Sequence, residues 1–386
     1  MSKPGTLAAV WPEQPSVAAS EDLTTLHPCD TGFLGLVERA LTDYLNRRRA
    51  EAALVDENFA VAVDSLADFV LGGGKRIRPT FAWWGWRGAG GDPRGADTDA
   101  VVMAVSALEL IQACALVHDD LMDASAVRRG SPTVHVAFSD LHRTSRWAGT
   151  AERFGQASAV LLGDLALAWA DDMLRESGLG AGQLHRALQP WRSMRTEMLA
   201  GQYLDVLTQA HADESAEAAL RVDRLKTAAY TVERPLHLGA VLAGTGDGLV
   251  QGLRQFGVDI GLAFQLRDDL LGVFGDPAVT GKPAGDDLRE GKRTLLVSLG
   301  LQHAEQQGRH ADAARLRSAI GQHDLDEPGV DVVRALLVDL GAVEAVEARI
   351  AELRDQALAT LAATPVAEPA ASELARLAVS ATRRNH

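Results

Sequence analysis

Apolar residues recur every three or four positions through most of this chain, and that spacing limits the fold more than any other feature of the sequence. Such a period puts the apolar side chains on one face of an α-helix. It predicts helices over Val101–Asp123, Ala157–Leu174, Arg192–Leu207, Gly252–Val273 and Ala342–Leu361. Segments with strand-like alternation are missing from the sequence. We therefore predict an all-α protein, a single large domain built as a helical bundle.

Clusters of Gly, Pro and polar residues divide the helical segments. They predict interruptions at Gly88–Gly95, Ser139–Thr150, Gly178–Gly182, Ala243–Gly248 and Asp276–Gly285. Near the C-terminus, Pro365 and Pro369 set off a last short helix. The first residues carry scattered Pro, Ala and Ser without periodicity. We therefore expect a disordered tail over residues 1–28 and a helical domain over residues 29–386.

Composition excludes several classes of protein. The chain has 386 residues, and 52 Asp and Glu against 38 Lys and Arg give a net charge of −14 at pH 7. A chain this acidic is a poor nucleic-acid binder. The nearest candidate for a membrane span, Val101–Val117, carries Glu109, so we expect none. We see no secretion signal, and Cys29 and Cys114 are too far apart for a disulfide framework, so we expect a cytoplasmic protein.

Carboxylates gather at the ends of two predicted helices. Asp119 and Asp123 stand one helical turn apart with Asp120 beside them, and like charges at that spacing repel unless a cation holds them. A single pattern of this kind is also typical of a solvated helix end. A second pair, Asp268 and Asp269, closes another apolar stretch. Two such helices facing each other would suit Mg²⁺, which prefers oxygen ligands, water and phosphate.

Cations in the sequence supply the counterpart to these acids. The glycine-rich segment from Gly72 to Pro79 carries Lys75, Arg76 and Arg78, and its backbone can approach a phosphate closely. Further cations lie next to Gly or Thr in Arg128-Arg129-Gly130, Lys226-Thr227 and Gly281-Lys282. Taken singly, each fits a solvated loop. Acids and cations together predict a diphosphate site in which Mg²⁺ bridges carboxylates and phosphate oxygens.

In their order along the chain these motifs resemble the trans-isoprenyl diphosphate synthases, the polyprenyl synthetase family, and within it the bacterial geranylgeranyl diphosphate synthases. Six or seven motifs in order are specific where one is weak. They are Gly73-Gly74-Lys75-Arg76-Ile77-Arg78-Pro79, Asp119-Asp120-Leu121-Met122-Asp123, Arg128-Arg129-Gly130, Gly201-Gln202-Tyr203-Leu204-Asp205, Lys226-Thr227-Ala228, Phe264-Gln265-Leu266-Arg267-Asp268-Asp269 and Gly281-Lys282-Pro283-Ala284-Gly285-Asp286. The resemblance covers about Leu71 to Leu296.

What the resemblance implies is a bundle of antiparallel helices of the isoprenoid synthase type around a central cavity, acting as a homodimer. The implied reaction is Mg²⁺-dependent: isopentenyl diphosphate is condensed with an allylic diphosphate to give an all-trans prenyl diphosphate. The leaving diphosphate would be neutralised by three Mg²⁺ ions and basic side chains, and the proton lost at the end would pass to the released diphosphate.

The resemblance also implies a role for each matching residue. Catalysis would depend on Asp119, Asp123, Arg128, Lys226, Asp268 and Lys282. Metal ligands would be Asp119, Asp123 and Asp268, supported by Asp120 and Asp269. Residues holding the allylic diphosphate would be Arg128, Lys226, Thr227, Gln265 and Lys282. Residues holding isopentenyl diphosphate would be Lys75, Arg78, Gln112 and Arg129, with Gln202 and Asp205 in the cavity wall.

One position departs from the family pattern. The second acidic motif often ends in another Asp, and here that position is Gly272. We expect Asp268 to hold the metal without this outer carboxylate. His118 and His135 are expected to be packing residues rather than catalysts.

Product length should depend on the helix face beneath Asp119. Ala115 lies one turn below Asp119, and Cys114 is adjacent to Ala115. In this family, large aromatic residues at these two positions commonly stop the product at farnesyl length, whereas both are small here. Leu108, about 16 Å below Asp119, is the expected floor of the cavity. We therefore predict geranylgeranyl diphosphate as the product.

Other functions stay open at this point. A farnesyl or longer prenyl diphosphate would need only a different cavity floor. A class I terpene cyclase needs a single diphosphate site and would leave Lys75, Arg78, Gln112 and Arg129 unexplained. A non-catalytic partner subunit would be expected to have lost carboxylates of the first motif.

Overall fold

The structure of the chain is a computed structural model that describes residues 26–275 and 285–382. It confirms the predicted all-α architecture. The helices are α1 Pro28–Thr31, α2 Phe33–Val55, α3 Glu57–Leu71, α4 Ile77–Gly88, α5 Thr98–Ser106, α6 Leu108–Met122, α7 Val134–Thr144, α8 Ala151–Arg175, α9 Ala181–His211, α10 Ala216–Val222, the π-helix Asp223–Glu233, α11 Arg234–Ala243, α12 Asp247–Phe274, α13 Asp286–Arg289, α14 Leu295–Gln306, α15 His310–Ala319, α16 Glu327–Asp339, α17 Ala342–Ala363 and α18 Ala370–Thr382. The predicted tail falls almost wholly on residues 1–25, which lie outside the described residues, and α1 begins at Pro28.

Two apolar cores hold the bundle together, and α12 contributes to both. Its first half packs Leu253, Phe256 and Ile260 into the larger core, which is built mainly by α2 to α9 and α11. Its second half packs Leu266 and Leu270 into a smaller core with α14 to α17. The 28 residues of α12 therefore run from one core to the other and end at the second acidic motif.

The helix predicted over Val101–Asp123 is two helices, with Ala107 between α5 and α6. At the break the Ser106 hydroxyl donates to the Val102 carbonyl at 2.7 Å, a side-chain bond that bends helices. The stretch Thr98–Met122 is apolar and long enough to cross a membrane, and 72% of its most apolar window is buried inside the protein. Burial to that degree is typical of a core helix and makes this stretch weak evidence for a span.

The predicted interruption over Ser139–Thr150 is wrong in its first half, because α7 continues to Thr144. Aromatic packing explains the extra turn. Phe138 and His142 are four residues apart on α7, and their rings lie 6.3 and 5.5 Å from the ring of Phe154 on α8. The polar residues in this segment predicted a loop, but the ring contacts with α8 stabilise a helix there.

A short hairpin follows α6 where the sequence predicted no strand. Its strands are β1 Val127–Arg128 and β2 Ser131–Pro132. The turn between them has positive φ at Arg129 (52°) and Gly130 (74°), the geometry that fits the twist of a two-residue hairpin loop. This hairpin fixes the two adjacent arginines of the third motif against different neighbours.

The π-helix lies between α9 and α12 and contacts both. Glycines allow its close approach on each side. A Cβ at Gly201 of α9 would lie 2.2 Å from the backbone nitrogen of Lys226, and one at Gly261 of α12 would lie 2.7 Å from the Cα of Ala228. The backbone of the π-helix can come this close to α9 and α12 only because Gly201 and Gly261 have no side chain. These glycines therefore help to fix the position of Lys226.

Candidate active site

Asp119 and Asp120 at the end of α6 are both held by cations. Asp119 Oδ1 lies 2.8 Å from Lys226 Nζ, and its Oδ2 lies 3.4 Å from Arg128 Nη2. Arg128 Nε donates to both oxygens of Asp120, at 2.7 and 2.8 Å. Burial alone would raise the pKa of Asp119, but Lys226, Lys292 and Arg128 hold that pKa well below its usual range. Asp119 is therefore charged at any physiological pH.

Lys226 on the π-helix stands between two acids. Its ammonium lies 2.8 Å from Asp119 and donates to Asp205 Oδ2 of α9 at 2.5 Å. Burial favours the neutral amine, yet Asp119, Asp205 and Asp123 raise the pKa of Lys226 above its usual value. The structure thus brings Lys226 and Asp205 to the first acidic motif.

Asp123 is paired with a lysine that the sequence analysis missed. Lys292 Nζ lies 3.6 Å from Asp123 Oδ2, 3.2 Å from Asp287 Oδ1 and 2.9 Å from Glu290 Oε2. Burial and the nearby Asp119 raise the pKa of Asp123 to about 6, although Lys292 opposes them. Acids close to Lys292 in the sequence were a signal that it is paired, but nothing local indicated which helix it would meet.

The second acidic motif lies at the end of α12, with Asp268 exposed and Asp269 buried. Asp269 Oδ1 accepts from Gln265 Nε2 at 2.6 Å. Its Oδ2 is buried without a hydrogen-bond partner among the residues the structure describes. Burial, and then the charges of Asp223, Asp287 and Asp268, raise the pKa of Asp269 well above its usual value. This concentration of negative charge is unfavourable unless a cation binds beside it.

Lys292 links the two acidic motifs. It contacts Asp123 at the end of α6, and it also contacts Asp287, which is close enough to Asp269 of α12 to repel its charge. Asp119, Asp123 and Asp287 therefore lie around a pair of lysines, Lys226 and Lys292, and Asp287 adjoins Asp269 of α12. That the two carboxylate helices face each other across a metal stays a prediction.

A second, more basic cluster lies on the other side of Arg128. Arg129 donates to the carbonyl of Gly73, and its guanidinium lies 3.2 Å from where a Cβ of Gly74 would be. Burial lowers the pKa of Arg129, and the nearby Arg128, Arg76 and Arg78 lower it further. The glycine-rich segment is therefore packed against a crowded group of arginines, which would favour an anion.

Tyr230 of the π-helix completes this basic cluster, and the sequence analysis did not identify it. Its hydroxyl donates to Gln112 Oε1 at 2.8 Å, and the Arg78 guanidinium lies 4.2 Å from the centre of its ring. Arg78 also donates to Thr231 Oγ1 at 2.7 Å. The predicted residues Arg78, Gln112 and Arg129 are thus brought into one region by the hairpin, α4, α6 and the π-helix.

The other predicted residues and Arg76 lie in different surroundings. Arg76, one of the three cations of the glycine-rich segment, is buried and paired with Glu38 at 2.7 Å and Glu109 at 2.8 Å, so it stabilises the fold. Lys75 is exposed, and Gln202 donates to Met122 Sδ at 3.5 Å. Thr227 is half-buried on the π-helix beside Lys226. Lys282 lies outside the described residues.

The predicted chain-length residues differ in their surroundings. Leu108 is fully buried and is the first residue of α6, directly after the break. Ala115 is half-buried on the turn below Asp119. The Cys114 thiol is buried 3.7 Å from Nδ1 of His118, which in turn lies 3.2 Å from the Val160 carbonyl of α8. The packing role expected for His118 agrees with these contacts.

The acids fit a metal that takes part of its ligands from a substrate. Within residues 26–275 and 285–382, no three His, Cys, Asp or Glu side chains are close enough together to hold a metal ion by themselves. Buried carboxylate oxygens without a hydrogen-bond partner nevertheless occur at Asp269 and Asp223. Oxygen-only ligands with substrate and water completing the shell are typical of Mg²⁺.

Comparisons with known proteins show the family. A family model described as polyprenyl synthetase matches residues 61–336. A geranylfarnesyl diphosphate synthase of Aeropyrum pernix is 34% identical over 80% of this chain and 89% of its own. A geranylgeranyl diphosphate synthase of Mycobacterium tuberculosis is 33% identical over 87% of this chain and 92% of its own.

Solved structures of prenyl diphosphate synthases have a similar fold. A geranylgeranyl pyrophosphate synthase of Corynebacterium glutamicum, complexed with isoprenyl diphosphate and magnesium, is 46% identical, with a TM-score of 0.89. The match covers 92% of this chain and 99% of that one. The agreement therefore extends beyond the motifs to nearly the whole fold.

Proposed function

The chain belongs to the polyprenyl synthetase family, and from that premise we propose that it condenses isopentenyl diphosphate with allylic diphosphates to form all-trans geranylgeranyl diphosphate. The observation that carries the proposal is the presence of two cationic regions around one set of carboxylates. Lys226, Lys292 and Arg128 lie among the acids, while Arg78 and Arg129 form a separate group. Two regions suit two diphosphates, whereas a cyclase needs one.

The acidic region would hold the allylic diphosphate. Asp119, Asp123 and Asp268 would bind Mg²⁺, three ions per site, which would neutralise the leaving diphosphate and so favour ionisation of the allylic C–O bond. Asp269 supports them from α12, and Asp120 orients Arg128. Thr227, Gln265 and Lys282 complete the proposed contacts. When substrate enters, Lys226 and Arg128 can move from carboxylate to phosphate oxygens and leave the acids to the metal.

The basic region would hold isopentenyl diphosphate. Arg129 and Arg78 supply two guanidinium groups, and each can donate two hydrogen bonds to phosphate oxygens. Gln112 is fixed by Tyr230, and Lys75 would contribute from the glycine-rich segment. Gln202 would face the developing cation. Holding the second substrate beside the first places its double bond for attack by the allylic cation.

The growing chain would run down the α6 face below Asp119. The small Ala115 would leave that path open, with Cys114 beside it and Leu108 where α6 begins. A floor at Leu108, about 16 Å below Asp119, suits a geranylgeranyl chain better than a farnesyl one.

We also propose that the protein acts as a homodimer in the cytoplasm. Val160 and Leu161 leave apolar side chains on the outer face of α8, 45% and 67% exposed, which supports a subunit contact. The expectation that nucleic acid is not a partner rests on the net charge alone.

An Arg129→Ala substitution tests the assignment of two diphosphate sites. We expect the KM for isopentenyl diphosphate to rise about tenfold or more, because a charged hydrogen bond to phosphate is lost, while the KM for the allylic substrate changes little. Arg376→Ala, an exposed arginine paired with Glu373, is the matched control. Steady-state kinetics with each substrate varied in turn gives both constants. An equal rise in both KM values, or none, would refute the assignment.

A further inference from the structure

Gly272 stands on the last turns of α12, where the family pattern often has a third carboxylate. The space that its side chain would take is already filled. A Cβ built on Gly272 would lie 1.8 Å from Oδ2 of Asp287 and 2.6 Å from its Cγ. The carboxylate of Asp287 therefore lies where the missing side chain would begin.

Backbone contacts fasten Asp287 in this position. The amide of Gly285 donates to the Gly272 carbonyl at 3.1 Å, which ties the start of α13 to the end of α12. The amide of Lys292 donates to the Asp287 carbonyl at 3.0 Å, and the Lys292 ammonium lies 3.2 Å from Asp287 Oδ1. The same ammonium reaches Asp123, so Asp287 is connected to the first acidic motif as well.

An independent observation points to a cation beside this carboxylate. Asp269 is 5% exposed, and its Oδ2 has no hydrogen-bond partner within the described part of the chain. Asp223, Asp268 and Asp287 are close enough to repel its charge. A buried, unpartnered oxygen among like charges is expensive unless a ligand binds it.

We propose that Asp287 supplies the outer carboxylate that the second acidic motif lacks at Gly272, and that Gly272 is required because it leaves room for it. Asp287 then acts as a positioning residue for the metal cluster and for Lys292. The inference rests on the proposed function only in taking Mg²⁺ and a diphosphate as the ligands.

Calorimetric titration of Mg²⁺ into the full chain with saturating inorganic diphosphate tests the proposal without turnover. We expect Asp287→Ala to weaken Mg²⁺ binding about tenfold or more, the usual effect of losing a group that supports metal ligands. Gly272→Ala should weaken it in the same direction, because the added methyl displaces Asp287. The matched control is Gly248→Ala on the same helix, where a Cβ meets nothing within 4 Å.

The double variant Gly272→Asp, Asp287→Ala returns a carboxylate to the same place from the other side. We expect its Kd for Mg²⁺ to lie within about threefold of that of the unaltered protein. Such a recovery would show that the two positions are strongly coupled. Wild-type affinity in Asp287→Ala, or a folded double variant that binds no better than Asp287→Ala, would overturn the proposal. If circular dichroism shows that Gly272→Ala does not fold, Asp287→Ala and the double variant still test the proposal. Failure of the proposed function would show separately, as absent condensation by the unaltered protein.

Discussion

At the residue scale, the carboxylates of the first acidic motif form ion pairs with lysines. Lys226 lies against Asp119 and Lys292 against Asp123. Both lysines are half-buried, and the acids around them raise their pKa values. We expect these pairs to keep the acids together before substrate binds. A metal and a diphosphate would then exchange partners with them, because Mg²⁺ binds the carboxylates while phosphate oxygens bind the lysines.

Asp123 gives a prediction about pH. Its pKa is raised to about 6 by burial and by Asp119, so the carboxyl group takes up a proton as the pH falls through that value. Protons then compete with Mg²⁺, and the Mg²⁺ concentration for half-maximal turnover should rise by up to about tenfold per pH unit below about 6.

Turnover measured against Mg²⁺ concentration between about pH 5.5 and about pH 7.5 checks this linkage. Asp123→Asn is the control, since it keeps the titration of the substrate and removes that of the carboxyl group. Equal Mg²⁺ requirements across the range in the unaltered protein would contradict the prediction.

Ala115 gives a prediction about product length. It is half-buried one turn below Asp119, so Ala115→Phe should place a ring in the path of the growing chain and shift the product from geranylgeranyl to farnesyl diphosphate. Ala115→Ser, which adds a single oxygen, should leave the length unchanged. Separation of the dephosphorylated products by chain length is the measurement, and an unchanged product in Ala115→Phe would refute the proposed path.

At the scale of elements, the π-helix Asp223–Glu233 matters most. It carries Lys226 to the acids and Tyr230 to the arginines, so one segment serves both substrate regions. Long π-helices are rare and are found mainly at functional sites. The glycines of α9 and α12 allow this segment to pack between them.

Gly201→Ala tests the importance of that close packing. The new methyl would lie 2.2 Å from the backbone nitrogen of Lys226, and a backbone contact cannot be relieved by rotating a side chain. We expect turnover to fall about tenfold or more and the free energy of unfolding to fall by about 1–3 kcal/mol.

Gly182→Ala on the same helix is the control, because its Cβ would meet only the Arg186 guanidinium, at 3.6 Å. Thermal unfolding and steady-state kinetics of both variants give the two quantities. Identical behaviour of Gly201→Ala and Gly182→Ala would show that the close approach is unimportant.

Local pattern predicted much of this architecture but not all of it. The acids of α6 and the helices themselves follow from a 3.6-residue period, which is a local property. Lys292 meets Asp123 only through the packing of α12 to α14, and no period in the sequence records that contact. The π-helix has no sequence signature of its own. At the break at Ala107 the Ser106 hydroxyl bonds to its own helix, but Ser158 makes the same bond within the unbroken α8, so the bond alone does not predict a break.

At the scale of the whole molecule, α12 connects the larger core with the smaller one, and Asp268 and Asp269 lie on the half that packs into the smaller core. The first acidic motif is anchored in the larger core through α6. Packing between the two halves of the bundle therefore sets the distance between the two acidic motifs. We propose that the two acidic motifs together perform chain elongation.

The most direct test is turnover of labelled isopentenyl diphosphate with Mg²⁺ and, in turn, dimethylallyl, geranyl and farnesyl diphosphate. We expect label in a single product of geranylgeranyl length from all three primers. Release of diphosphate from an allylic substrate alone, without incorporation of isopentenyl diphosphate, would contradict it.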